Sequence, residues 1–297
     1  MIISDVVIHL NFFLSTVTDL ELPSCPLCNS KNAVTLYADE PFAPYGIKCC
    51  ADCGLYYLAP RLKEEVMLAL YAKDRYFTGQ AVGYTDYAAQ EPALRATFRR
   101  LLYSLEESGC TGGTLLEVGC GYGYLLDEAR PFFKNRMGTD FSTEAVNIAR
   151  NHADHVYQGG IDALPENEIF DCIIATHVIE HVYHPHAFIQ SLLAHLRPGG
   201  CLVVAAPDMG SFWRKLMGKR WPSYKLPEHV LYFDRITLSR LLQECGLGSL
   251  KVISYPHAFP LPLIASKVGL KIPGFLCRYH LWLPATTTAV MGIKAYG

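Results

Sequence analysis

The chain has 297 residues, 51% of them hydrophobic, and a formal net charge of −2 at pH 7. That length holds one large domain with a small appendage, and a near-neutral balance without a basic block argues against a nucleic-acid partner. Eleven cysteines without an export signal point to a reducing, cytoplasmic setting in which thiols are structural or metal-bound rather than paired as disulfides.

Residues 1–24 read as a leader. Its apolar stretch, Met1–Thr18, lacks a positive n-region and carries Asp5, His9 and Asn11. It is a poor signal peptide, and too short and polar to span a membrane. Residues 25–60 follow as a cysteine-rich segment. Cys25-Pro26-Leu27-Cys28 and Cys50-Ala51-Asp52-Cys53 form C-x2-C…C-x2-C with 21 residues between. Four thiolates at that spacing suit tetrahedral zinc, in a segment too short to bury a core of its own. Cys49 competes with Cys50 for the third position. Four protein ligands leave no open site, so the expected zinc is structural.

Residues 61–110 read as a helical linker. Leu62, Val66, Ala69 and Leu70 share a face over 62–72, Tyr76–Tyr87 is aromatic and glycine-punctuated, and Leu94, Phe98, Leu101, Leu102 and Leu105 line a helix over 91–107. From Thr114 strands alternate with helices: strands at 114–118, 135–139, 155–158, 171–176, 201–206, 249–254 and 288–295, helices at 123–129, 143–152, 185–196 and 236–245. The alternation predicts an α/β fold over 111–297, with a mostly parallel sheet covered by helices on both faces. Ligands in such folds sit at the carboxyl ends of the strands. Two inserts interrupt it: an aromatic and basic one at 209–234, suited to a lid over a sugar, an aromatic ring or a phosphorylated carrier, and an apolar, Pro-rich one at 257–284, suited to a pocket wall or a homodimer contact ahead of a lipid contact, for which it has too few cations.

The strand at 114–118 breaks into Gly119-Cys120-Gly121-Tyr122-Gly123. Glycine reaches positive φ and lets a ligand lie against bare backbone, and the helix that follows offers unpaired N–H groups to an anion. A dinucleotide fingerprint needs glycine at 124, where this chain has Tyr124, and no G-K-[ST] follows for a P-loop. Asp140 ends the next apolar run about 20 residues on, where an acid reaches a ribose diol. Adenosine is implied, joined to something other than a pyrophosphate.

In these residues the chain resembles the class I S-adenosylmethionine-dependent methyltransferases, over most of 110–250. Glu117-Val118-Gly119-Cys120-Gly121-Tyr122-Gly123 is similar to their E-x-G-x-G-x-G, Gly160-Ile161-Asp162-Ala163 to their adenine-side loop, Phe170–Ala175 to their fourth strand and Leu196-Arg197-Pro198-Gly199-Gly200 to the turn before their fifth. The resemblance implies a Rossmann-like, mostly parallel seven-stranded sheet. It also implies a cofactor site with Glu117 at the amino group and Gly119, Cys120, Gly121 and Gly123 along the methionine moiety. Asp140 and Phe141 would lie at the ribose, Asp162 and Ala163 at the adenine, and Thr176 at the end of the fourth strand. Tyr76, Phe77 and Tyr84 would cover the cofactor. Similar enzymes with an N-terminal zinc segment include deoxysugar C-methyltransferases, and ubiquinone-pathway O-methyltransferases are also similar. They imply a small-molecule, sugar or lipid-linked acceptor.

Methyl transfer to oxygen or carbon calls for a base, and a neutral imidazole suits it. His229, preceded by Glu228, is favoured over His181, preceded by Glu180. In deoxysugar C-methyltransferases the catalytic His lies in a Tyr-x-Glu-His element; here the Tyr position is Leu226. Two other classes stay open: a nucleoside-binding module without chemistry, and a zinc hydrolase using His177-x-x-Glu180-His181, which needs both His on one helix.

Overall fold

The computed structural model describes residues 19–71, 87–267, 273, 276 and 279–296. Its N-terminal part is built of short strands: β1 (Leu20–Glu21), β2 (Ala33–Tyr37), β3 (Ile47–Cys50), β4 (Tyr56–Leu58) and β5 (Arg61–Leu62). β2, β3 and β4 form an antiparallel meander, while β1 pairs with β5. Helix α1 (Glu64–Tyr71) begins later than the apolar spacing suggests because Leu62 is taken into β5. Helix α2 (Glu91–Glu107) buries Leu94, Phe98, Leu101, Leu102 and Leu105, the stripe expected of a 3.6-residue period.

The rest alternates strand and helix: β6 (Gly112–Val118), α3 (Tyr124–Glu128), β7 (Phe133–Asp140), α4 (Thr143–Ala149), β8 (His155–Gln158), β9 (Phe170–Thr176), α5 (Pro185–Ala194), β10 (Leu196–Pro207), α6 (Phe212–Met217), β11 (Leu231–Tyr232), α7 (Arg235–Glu244), β12 (Leu247–Ile253), β13 (His257–Pro260), α8 (Leu261–Lys267), β14 (His280–Leu283) and β15 (Thr287–Lys294). Seven of these strands make one sheet in the order β12-β15-β10-β9-β6-β7-β8. β15 runs antiparallel to both neighbours, and the pairs from β10 through β8 are parallel. The central strands are apolar on both sides because both faces are covered. Leu116, Ile173, Leu202 and Val290 pack toward α5 and α7, whereas Leu115, Ile174, Val203 and Met291 pack toward α2, α3 and α4. Each fully buried leucine there contributes about 2 kcal/mol of transfer free energy. Among the described residues no helix is long and apolar enough to cross a membrane.

Both inserts carry strands of their own. Strand β11, from the 209–234 insert, leaves the main sheet and joins the cysteine-rich meander, giving a second sheet in the order β11-β4-β3-β2. The 257–284 insert contains an antiparallel ribbon, β13 with β14, with α8 between them. β13 docks on α2, where the Ala258 N–H donates to the buried Thr97 Oγ1 at 2.9 Å. Neither partnership has a local signature, since each strand is shorter than the typical five or six residues and pairs far along the chain.

Candidate active site

The carboxyl ends of β6, β7 and β9 open on a cavity of about 1520 Å³ bounded by described residues. Gly119 (φ +72°) and Gly121 (φ +51°) line it, both in the left-handed region where glycine costs least. A Cβ at Gly119 would meet Val178 Cγ2 at 2.6 Å, and one at Gly121 would meet the Tyr87 hydroxyl at 3.0 Å. Gly123 (φ +78°) has another task. It caps α3, and a Cβ there would lie 3.0 Å from the Ala149 Cα of α4, so this glycine lets two helices approach; it does not line the cavity.

Asp140 fastens the turn. Its Oδ2 accepts the Gly121 N–H and its Oδ1 accepts the Ser142 N–H, each at 2.9 Å. Burial pushes its carboxyl up while the two N–H groups draw it back. Glu117 is 2% exposed, and its Oε2 has no hydrogen-bond partner among the described residues. Burial, and then the charge of Asp140, push its carboxyl well above the usual range. Asp162 and Thr176 line the cavity, Asp162 on a short turn at its rim, and exposed Phe141 lies beside them. Cys120 and Ala163 do not line it: the Cys120 thiol is buried and sits 3.8 Å from the Gly121 carbonyl. Tyr76, Phe77 and Tyr84 lie outside the described residues. Tyr87, with no distinguishing signal in its aromatic loop, covers Gly121 instead.

The opposite end is built of histidines. His181 and His229 stand with ring centroids 4.7 Å apart and planes nearly perpendicular. The Nδ1–H of His229 donates to the Ser223 carbonyl at 2.9 Å, and the His181 ring bonds the Glu228 backbone. Glu180 offers a carboxylate oxygen within 4.8 Å of a ring nitrogen of each. Burial drives His229 well below the ordinary imidazole value, with His181 adding to it, and burial likewise lowers His181. Burial opposes the Glu180 charge, but the His177 hydrogen bond and the surrounding imidazoles hold its carboxyl down to about 2. The Glu228 side chain is buried and does not line the cavity; its backbone, not its carboxylate, serves the site.

His177 belongs here too. It follows β9 directly, in the left-handed region (φ +57°), its Nδ1 lies 3.2 Å from Glu180 Oε1, and its Nε2 is buried without a partner among the described residues. His257, pushed down to about 3 by burial, packs 5.9 Å from it. The H-x-x-E-H spacing that singled out His177 does not form a metalloprotease helix. Only Ile179–His181 is helical, as one tight turn, so the two imidazoles cannot share a helix face.

In the cysteine-rich sheet, Cys25 Sγ lies 3.4 Å from Cys53 Sγ and Cys28 Sγ 3.5 Å from Cys50 Sγ, all four within 4.8 Å of one another. Cys49 is outside this group, its thiol turned to the Cys50 and Gly54 carbonyls. Burial lifts Cys25 to about 11; Cys50, although burial opposes it, is drawn down to about 7 by the Cys53 and Asp52 backbone N–H groups.

Residues 87–252, more than half of the chain, match the family described as a methyltransferase domain. The ubiquinone biosynthesis O-methyltransferase of Actinobacillus pleuropneumoniae is 29% identical over 159 residues, covering 48% of this chain and 68% of that protein. A probable S-adenosylmethionine-dependent methyltransferase of Mycolicibacterium smegmatis is 29% identical over 177 residues, covering 58% and 67%. In fold the chain is similar to magnesium protoporphyrin IX methyltransferase of Synechocystis PCC 6803, solved with bound SAH (TM-score 0.52, 12% identity, covering 78% of this chain and 100% of that one). It is also similar to the YcgJ protein of Bacillus subtilis (TM-score 0.51, 13% identity, covering 68% and 99%). A glycine turn pinned by an acid one strand away, on a seven-stranded sheet of this order, agrees with that match, and the chain belongs to the methyltransferase-domain family as an S-adenosylmethionine-dependent methyltransferase.

Proposed function

We propose that the enzyme methylates a hydroxyl group of a small-molecule or glycan-type acceptor, with His229 as the general base. The observation that carries this is the fixed tautomer of His229. Its Nδ1–H is committed to the Ser223 carbonyl, so the Nε2 lone pair remains to take a proton in a cavity shared with Gly121 and Asp140. Names among the relatives favour oxygen over carbon, and Leu226 in place of the Tyr of deoxysugar C-methyltransferases agrees. The free thiols among the described residues fit a reducing cytoplasm.

The residues present fit the methyl donor. Bare backbone at Gly119 and Gly121 admits the methionine moiety, the unpartnered Glu117 oxygen suits its ammonium, and Asp140 and Asp162 suit the ribose and adenine. When bound, S-adenosylmethionine supplies a methyl carbon on a sulfonium, a leaving group that needs no protonation. The cavity walls would hold the acceptor beside the donor, positioning being the main contribution a protein makes to such a displacement. His229 Nε2 would take the proton of the acceptor hydroxyl, and the Glu180 carboxylate would offset the charge left on the imidazole. The four mutually close thiols are the donor set of structural zinc, held by Cys25, Cys28, Cys50 and Cys53.

A panel of phenols, nucleotide sugars and lipid-linked glycans, assayed for release of S-adenosylhomocysteine (SAH), tests the reading. His229→Gln should cut turnover by about 10²- to 10⁴-fold while SAH affinity stays within about twofold. Full turnover in that variant removes His229 as base, and no SAH binding by calorimetry removes the site.

A further inference from the structure

We propose that the four-cysteine cluster positions the His229 base, and that Tyr57 is the residue that links them. The proposal rests on His229 being the base and on the cysteines holding a metal. The backbone steps of the link are strand pairings and hydrogen bonds. Cys50 ends β3, and β3 pairs with β4 so that Lys48 lies opposite Tyr57 and Cys49 opposite Tyr56. β4 pairs in turn with β11, Tyr57 opposite Leu231 and Tyr56 opposite Tyr232. Just before that pairing, the Leu58 N–H donates to the Val230 carbonyl at 2.9 Å, and the Val230 N–H donates to the Glu180 carbonyl at 2.8 Å. The residue after His229 is therefore clamped between the cysteine-rich sheet and the turn that carries His181. The Tyr57 side chain, 2% exposed, lies in one buried cluster with Cys25, Cys50, Leu231 and Tyr232.

The physical need for such a link is plain in the segment that bears the base. No strand or helix covers Trp221–Val230; the Val230 carbonyl and the two-residue β11 that follows tie it to β4, and the Tyr224 ring packs edge-on against Tyr37 of β2. A strand that short cannot hold its register alone. β11 keeps its place because β4 does, and β4 keeps its place in a small meander whose two cysteine loops meet at the thiol cluster and at Asp52, whose carboxylate accepts from the Ser30 hydroxyl and the Asn32 amide. Metal binding supplies the folding energy of so small a unit. A base displaced by about 1 Å loses much of its effect, so a metal with no open coordination position still governs catalysis by fixing where His229 stands.

The test uses the full chain labelled with ¹⁵N on backbone and histidine rings, as purified and after stripping with a chelator, with metal content measured in both. The His229 signals are assigned by their loss in His229→Gln. In the loaded protein His229 should show the neutral Nδ1–H tautomer and slow exchange at the Leu58 and Val230 amides. Stripping should average out the tautomer signature and speed those amides by about 100-fold, with SAH affinity changed by less than about threefold. Tyr57→Ala should do the same while keeping its metal. Unchanged His229 signals after stripping or in Tyr57→Ala overturn the link. SAH affinity lost in parallel also overturns it, because the metal would then hold the whole fold and not the base. Absence of metal from the purified chain overturns the zinc reading instead, leaving the role of Tyr57 to be read from its variant.

Discussion

At the scale of single residues, two buried carboxylates next to one another have opposite tasks. Asp140 spends both oxygens on backbone N–H groups, so it shapes the glycine turn before any ligand arrives. Asp140→Ala should cost about 1–3 kcal/mol in urea unfolding, from the buried Gly121 N–H left without an acceptor. It should also weaken SAH binding by at least about tenfold in calorimetry. Glu117 spends its Oε2 on nothing among the described residues and is pushed well above the usual carboxylate range by burial. An ammonium group arriving beside it favours its ionised form. SAH binding should release a proton, seen as a binding enthalpy that changes with the ionisation enthalpy of the buffer. Glu117→Gln should remove that dependence.

At the scale of elements, the three glycines of one motif separate by what surrounds them. Gly119 faces the cavity mouth and the flexible Val178 side chain, whereas Gly123 faces the Ala149 backbone of α4 at 3.0 Å. Gly123→Ala should therefore act on stability, by about 1–2 kcal/mol for the left-handed backbone plus the cost of parting α3 from α4. SAH affinity per folded molecule should change little, as a thermal melt and a titration of the same sample would show. Gly119→Ala should reverse the pattern and damage binding first. The E-x-G-x-G-x-G spacing was enough to place the turn, because a buried strand, a glycine break and an amphipathic helix are local signals. It was not enough to tell the glycines apart, because Ala149 comes from another helix.

At the scale of the whole molecule, acid stability follows from the histidine end of the cavity. His181 and His229 are depressed by burial, and His257 is pushed down to about 3 from 6.5. For each, the unfolded chain binds the proton more readily, so the stability they allow is full above 6.5 and is lost as the pH falls below that value. For His257, with its large shift, the slope should reach about 1.4 kcal/mol per pH unit. Glu180, held down to about 2, adds a second loss only below its ordinary 4.5. Urea midpoints measured downward from pH 7.5 should fall first through the histidine range, and His257→Asn should make that fall shallower by about one proton's worth.

What the sequence by itself determined is whatever depends on neighbours along the chain. Seven apolar runs became the seven strands, in a mostly parallel sheet with helices on both faces. The cysteine pairs marked the thiol cluster; the regular C-x2-C spacing favoured Cys50 over its competitor Cys49, whose thiol is turned to backbone carbonyls. The tertiary structure decided which distant pieces share a surface. It brought His181 against His229, turned His177 and His257 into the same cavity, and gave β11 to the cysteine-rich sheet. A two-residue strand and a lone histidine carry no period and no spacing, so their partners are set by packing and by backbone hydrogen bonds that form only once the chain has closed on itself.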